Sequence, residues 1–138
     1  MANSSNSIVT LIGRILMAMV FVIPGLLKIS GYSMTVAYAS SKGLPVTNVA
    51  IVCAIVVEIL GGIAVLIGYQ TRIAAWVLFL YLIPTTLIFH NFWAATGMQQ
   101  QDSLIHFLKN LAIMGGLLIL AANGAGAYSL DQHKAVGA

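Results

Sequence analysis

The sequence predicts an all-α integral membrane protein: a four-helix bundle with a short interfacial helix between its first and second spans. Of the 138 residues, 60% are hydrophobic and only 7% are charged, whereas soluble domains carry roughly 25% charged residues. Four apolar runs, 8–29, 47–68, 72–92 and 104–122, each approach the roughly 20 residues that cross a hydrocarbon core about 30 Å thick. We therefore expect one transmembrane domain over residues 1–138.

An even number of spans places both chain ends on one face, which we call the terminal side. The loops near residues 30–46 and 92–103 then lie on the opposite face, which we call the far side. The first run lacks a basic leader and is longer than a signal-peptide core, so we expect it to remain as a helix. Lysines and arginines nearly balance between the two sides, and we expect both termini in the cytoplasm.

The connections predict how the spans pack. Residues 68–72 form so short a turn that the second and third spans must be antiparallel neighbours. Residues 32–45 mix tyrosines with polar residues and end in a glycine and a proline, which predicts a short helix in the interface. Asp102 or Ser103 is the expected N-cap of the fourth span. Two glycine pairs, at 61–62 and 115–116, predict close helix contacts.

Charge and cysteine content exclude several functional classes. The net charge of +3 comes from six lysines and arginines spread thinly along the chain, so there is no basic patch for nucleic acid. Cys53 is the single cysteine. An internal disulfide, a CxxC redox pair and a zinc–cysteine cluster are therefore all excluded.

Ionisable and amide residues inside the spans are the candidate functional residues. At about 1.5 Å of rise per residue, Glu58 lies near the midplane and Arg14 lies about 9 Å in from the terminal side. Lys109 and Asn110 lie about 8 Å in from the far side. The far-side end turns add three further candidates: Lys28, His90 and His106.

A charge at the bilayer centre costs at least about 2.5 kcal/mol on insertion scales, so Glu58 must face the bundle interior and find a partner. One interpretation is purely structural: Glu58 forms an internal ion pair with Arg14 or Lys109 and sets the register of the helices. The other interpretation is functional and starts from the charge count. Two cations, Arg14 and Lys109, lie within the hydrocarbon zone, but only one acid does, so the zone has an excess of positive charge.

That excess of positive charge suits a ligand with an apolar body and carbonyl oxygens that gains negative charge on reaction. A quinone has these properties, since its ring and tail partition into lipid and its reduction takes up electrons and protons. We expect Glu58 to be the catalytic residue, relaying protons. The expected ligand-binding residues are Arg14, Lys28, His90, His106, Lys109 and Asn110.

Five segments resemble the DoxX family of membrane proteins, in the family's order: GRILMAMVFVIPGLLKISGY, AYASSKGLP, EILGGIAVLIGYQTR, TLIFHNFW and FLKNLAIMGGLLILAANGAGAYSLD. The resemblance extends over roughly residues 10–131. It implies a compact four-helix bundle in a bacterial inner membrane, often described only as an oxidoreductase; relatives include the DoxD subunit of thiosulfate:quinone oxidoreductase. The family's recurring polar positions fall on Arg14, Lys28, Glu58, Arg72, His90, Lys109, Asn110, Ser129 and Asp131.

The expected function is that of a quinone-interacting component of an oxidoreductase system. No motif of an electron-carrying cofactor is present, so we expect a partner protein to supply the electrons. Cys53 is a lone thiol in an apolar run, where cysteines more often only pack. We expect contacts with membrane lipid and with other protein subunits or further copies of the chain.

Three other interpretations are compatible with the same residues. His90 and His106, at similar depth, are candidate ligands of a haem or a copper ion; we expect no metal, because end-turn histidines beside a tryptophan are more often interfacial hydrogen-bonders. A proton-coupled transporter would also use a midplane Glu58. The main alternative is a non-catalytic auxiliary subunit that docks onto a larger respiratory or photosynthetic membrane complex.

Overall fold

The computed structural model describes residues 4–136, so the ends of the expected domain, 1–3 and 137–138, lie outside the described residues. The described chain is helical and has no strand, and four of its helices are long and apolar enough to cross a membrane, which confirms the predicted class. The helices are α1 (Ser4–Ser30), α2 (Tyr32–Ser41), α3 (Thr47–Ile67), α4 (Thr71–Phe89), α5 (Gly97–Asn123) and α6 (Leu130–Val136), with a 3₁₀ turn at Phe92–Ala94.

The four long helices pack mainly in the order α1, α3, α4, α5, with consecutive members in contact. Glycines let α3 approach both of its neighbours: a Cβ at Gly62 would meet Val22 of α1, and a Cβ at Gly61 would meet Leu78 of α4. Small residues are the usual means of close helix packing in lipid. The core between the helices includes Phe21, Val65, Ala75, Leu78 and Leu117, all buried.

The short helix α2 lies between α1 and α3, as predicted. It ends in a Schellman motif, in which Gly43 has φ +78° and the Leu44 N–H donates to the Ala39 carbonyl at 3.2 Å. The side chain of Tyr38 stacks on Phe89 of α4, with 5.8 Å between ring centroids. The helix therefore covers the far-side ends of its neighbours.

The fourth long helix begins earlier than the sequence predicts. The expected N-cap, Asp102 or Ser103, lies inside α5, which starts at Gly97 after Thr96 in an extended conformation. The polar residues at its start carry no apolar periodicity, so the sequence pattern predicts no helix there. Phe107, one turn further along α5, makes edge-to-face contacts with Phe92 and Trp93 and so packs this end of the helix against the 3₁₀ turn.

On the terminal side, the segment after α5 folds back onto the turn between α3 and α4. The two carboxylate oxygens of Asp131 accept hydrogen bonds from the backbone N–H groups of Gln70 (2.8 Å) and Thr71 (2.9 Å). The Asp131 N–H donates to the Gly68 carbonyl at 2.8 Å. Asp131 thus supplies the cap that α4 lacks locally, because its own N-cap residue makes no side-chain bond.

We expect Asp131→Ala to lower the free energy of unfolding by about 1 to 2 kcal/mol, the usual cost of removing a helix cap. Asp102→Ala is the matched control, because Asp102 is exposed and its carboxylate lies 3.7 Å from an imidazole nitrogen of the exposed His106. Thermal unfolding in a mild detergent measures both variants. Equal stabilities for the two would contradict the capping role.

Candidate functional site

Glu58 lies in the middle of α3 and is 5% exposed. Gly25 of α1 lets this part of α3 pack closely: a Cβ on Gly25 would lie 2.8 Å from Ile59 Cγ1 and 3.3 Å from the Glu58 Cβ. A glycine in α1 thus brings the two helices together beside the buried acid.

Three hydrogen bonds hold this carboxylate between two helices. Lys28 Nζ of α1 donates to Oε1 at 2.9 Å and to Oε2 at 2.8 Å. The Tyr81 hydroxyl of α4 donates to Oε1 at 2.7 Å. Gly25 and Lys28 are three residues apart and so share one face of α1. We call these three side chains the Lys28–Glu58–Tyr81 cluster.

A cavity of about 370 Å³ adjoins the cluster in the far-side half of the bundle, enclosed by the end of α1 and by α2, α3 and α4. Most of its wall is aliphatic or aromatic. The polar and sulfur-bearing residues that line it are Lys28, Thr35, Tyr38, Cys53, Tyr81, Thr85 and His90. The cavity therefore combines an apolar body with a few polar groups, as small-molecule sites usually do.

The cluster presents its groups to the cavity unequally. The Lys28 side chain is 24% exposed and lines the cavity, whereas that of Glu58 is 7% exposed and does not line it, so the carboxylate lies behind the lysine. Beyond its bonds to Glu58, the ammonium keeps a further N–H donor. The Tyr81 hydroxyl donates its one proton to Glu58, so its oxygen can only accept any further hydrogen bond. The wall offers a cationic donor backed by an acid and a phenol.

The structure places the expected basic partners of Glu58 elsewhere. Arg14 lies near the terminal side, where Nη2 donates to the Tyr128 carbonyl. Lys109 is exposed on α5. The partner of Glu58 is therefore Lys28, and the structural interpretation of an ion pair holds with a different cation. Asn110, also expected to bind ligand, instead donates to the Thr86 hydroxyl at 3.0 Å.

The two far-side histidines lie together at the edge of the site. Their rings stack with centroids 5.2 Å apart. His90 lines the cavity, whereas His106 does not line it and faces Asp102, with Nε2 3.7 Å from Oδ1. Within residues 4–136, no group of three or more His, Cys, Asp or Glu side chains is placed to hold a metal ion. Of the five far-side residues expected to hold the ligand, Lys28 and His90 are on the wall, whereas His106, Lys109 and Asn110 are not.

Sequence reasoning missed Tyr81, which completes the cluster. A signal was present: tyrosines of membrane proteins concentrate at the two interfaces, but Tyr81 lies well inside its span. A phenol at that depth needs a hydrogen-bond acceptor, and Glu58 is the acid at comparable depth.

Comparison with known proteins identifies the relatives of this chain. The model of the DoxX family matches residues 9–91, a range that contains Lys28, Glu58 and Tyr81. The inner membrane protein YphA of Escherichia coli is 36% identical over 130 residues, covering 94% of this chain and 93% of that protein. The inner membrane protein YqjF of Escherichia coli is 39% identical over 122 residues, covering 88% of each.

A more distant match comes from a eukaryote. The ER-derived vesicles protein ERV29 of Saccharomyces cerevisiae is 34% identical over 82 residues, which are 59% of this chain and 26% of that protein. No solved structure matches the chain.

Proposed function

This chain belongs to the DoxX family, and from that premise we propose that it is a quinone-interacting membrane component of an oxidoreductase system. Its relatives YphA and YqjF are named inner membrane proteins, and the chain itself has four candidate membrane spans. A bacterial inner membrane location with both termini in the cytoplasm is part of the proposal. The observation that carries it is the Lys28 ammonium on the wall of an apolar cavity, backed by the buried Glu58.

The shape and lining of the cavity support a quinone as its ligand. Its volume of about 370 Å³ is within the range of small-molecule sites. Cys53 lines the cavity and is also exposed on α3, so the cavity wall continues to the molecular surface within a membrane span. An apolar ligand dissolved in the bilayer therefore has a route to it.

The residues fit a ligand with carbonyl oxygens. A bound quinone would supply the redox chemistry, accepting electrons and protons. Lys28 would donate a hydrogen bond to a carbonyl oxygen and stabilise negative charge that develops there. Glu58 holds Lys28 in place and is itself bonded by Tyr81, so the acid lies one hydrogen bond and the phenol two hydrogen bonds behind the ammonium, where a proton can be held and returned. The electrons would come from a partner protein.

Binding can be tested through Cys53. We expect ubiquinone-1, a short-tailed quinone, to slow alkylation of Cys53 by N-ethylmaleimide in the purified full-length chain, because ligand and reagent compete for the same wall. The rate should fall by about fivefold at saturating quinone, and the concentration dependence gives the Kd. Mass spectrometry of the intact protein measures the modified fraction.

Substitutions distinguish quinone binding at the proposed site from nonspecific partitioning of the quinone. We expect Lys28→Gln to weaken protection by about tenfold in Kd, the effect of losing one charge-assisted hydrogen bond. Lys109→Gln is the matched control: it also removes a lysine from a membrane span, but one that is exposed and does not line the cavity. Protection that is absent in the unmodified chain, or equal in the two variants, would rule out this quinone site.

A further inference from the structure

Arg14 is the most deeply buried cation of the described chain, with 1% of its surface exposed. Its Nη2 donates to the Tyr128 carbonyl, but Nε and Nη1 have no hydrogen-bond partner among the described residues. A buried guanidinium with unused donors is costly, most of all inside a membrane span. An acceptor from outside the chain would remove that cost.

Arg14 lines a cavity of about 360 Å³ between α1 and α5. Gly13 of α1 leaves space open in this seam, and Gly116 of α5 gives room to Met17. Met17, Ile119 and Leu120 form the apolar part of the wall. Toward the terminal side the wall becomes polar, at Thr10, Arg14 and Asn123. The seam is therefore apolar toward the middle of the membrane and polar toward the terminal side.

A second cavity, of about 600 Å³, adjoins the first and shares Asn123 and Gly124 with it. It adds another cation, because the guanidinium of Arg72 lies beside Gly124: a Cβ there would be 3.6 Å from Arg72 Nε. The acid of this region, Asp131, already accepts two backbone hydrogen bonds from the start of α4. The region thus holds two arginines and one acid, and that acid is already hydrogen-bonded, so the net charge of the region is positive.

We propose that the seam between α1 and α5 binds an anionic phospholipid, with its phosphate near Arg14 and Arg72 and an acyl chain along the apolar wall. Guanidinium groups pair well with phosphate oxygens. A free phosphate ion has the same headgroup chemistry, but it leaves the apolar wall without an occupant. The continuity of a cationic recess with an apolar groove favours the lipid.

The experiment is a titration of the full-length chain in a neutral detergent, followed by native mass spectrometry. The probes are phosphatidylglycerol, zwitterionic phosphatidylcholine, and the soluble headgroup glycerophosphoglycerol. We expect phosphatidylglycerol to bind about tenfold more tightly than phosphatidylcholine, and the soluble headgroup to bind at least about a hundredfold more weakly. Equal binding of the two lipids, or a headgroup that binds as tightly as the lipid, overturns the proposal.

Paired variants locate the lipid in the seam. Gly13→Leu should reduce phosphatidylglycerol binding by about tenfold by filling the groove, since no atom lies within 4 Å of a Cβ built there. Gly115→Leu makes the same change where a Cβ is equally free, but outside the cavity, and should leave binding unchanged. Arg72→Gln should weaken binding, whereas Lys42→Gln, on the far side, should not. Equal effects within either pair place the lipid elsewhere and overturn the proposal.

Discussion

Replacing Lys28 with methionine is expected to lower the free energy of unfolding by about 3 kcal/mol. The ammonium is bonded to both oxygens of Glu58, and Glu58 is only 5% exposed. Removing one partner of a buried ion pair leaves the other charge without compensation, and such changes typically cost about 3 to 5 kcal/mol. Methionine matches the length of the lysine stem, so the loss measures the charge rather than the packing.

A double-mutant cycle shows whether the pair is the cause. Glu58→Gln should cost less, about 1 kcal/mol, because glutamine can still accept the Tyr81 hydrogen bond and the Lys28 side chain is 24% exposed beside the cavity. Combining both substitutions should restore most of the stability that Lys28→Met removes. Additive losses in the cycle, measured by denaturation in detergent, would show that the two side chains are not coupled.

The second large effect is expected at Gly68, where Gly68→Ala should cost about 3 kcal/mol or more. Gly68 has φ +69° at the end of α3, and a Cβ there would overlap Arg14 Nη1 and the Ser129 side chain. Left-handed backbone alone costs a residue with a Cβ about 1 to 2 kcal/mol, and the overlap adds the displacement of a buried arginine.

Gly43→Ala separates those two contributions. Gly43 has φ +78° but no atom within 4 Å of a Cβ built there, so only the backbone cost, about 1 to 2 kcal/mol, should appear. The stability difference between the two variants, measured in the same detergent, reports the contact with Arg14. If both variants lose the same stability, Arg14 and Ser129 do not restrict this turn.

The depth of each buried charge could be predicted from the sequence, but not which charges meet. One rule of helix geometry explains the outcome: side chains lean toward the N-terminus of their helix. Lys28 is near the far-side end of α1, which runs toward the far side, so its side chain leans inward to Glu58. Lys109 is on α5, which runs the other way, so its side chain leans outward. Arg14 leans toward the terminal side, where its partner Tyr128 lies.

Other features depend on contacts that no local pattern contains. The cap on α4 comes from Asp131, sixty residues along the chain from Thr71. The packing of α5 against the 3₁₀ turn before it comes from aromatic contacts of Phe107 with Phe92 and Trp93. Apolar runs, by contrast, are set by the thickness of the bilayer, and the long helices could for that reason be predicted from the sequence alone.

The ion pair between α1 and α3, the first two long helices, also has a consequence for biosynthesis. Lys28 leaves the ribosome thirty residues before Glu58, so it has already been synthesised when α3 arrives. A lone charge at the centre of a newly inserted helix costs about 2.5 to 3.5 kcal/mol on translocon scales, and Glu58, in the middle of α3, is such a charge. The helix α3 is therefore poorly suited to enter the lipid by itself. It gains by leaving the insertion machinery together with α1, because the Lys28 ammonium then neutralises its carboxylate.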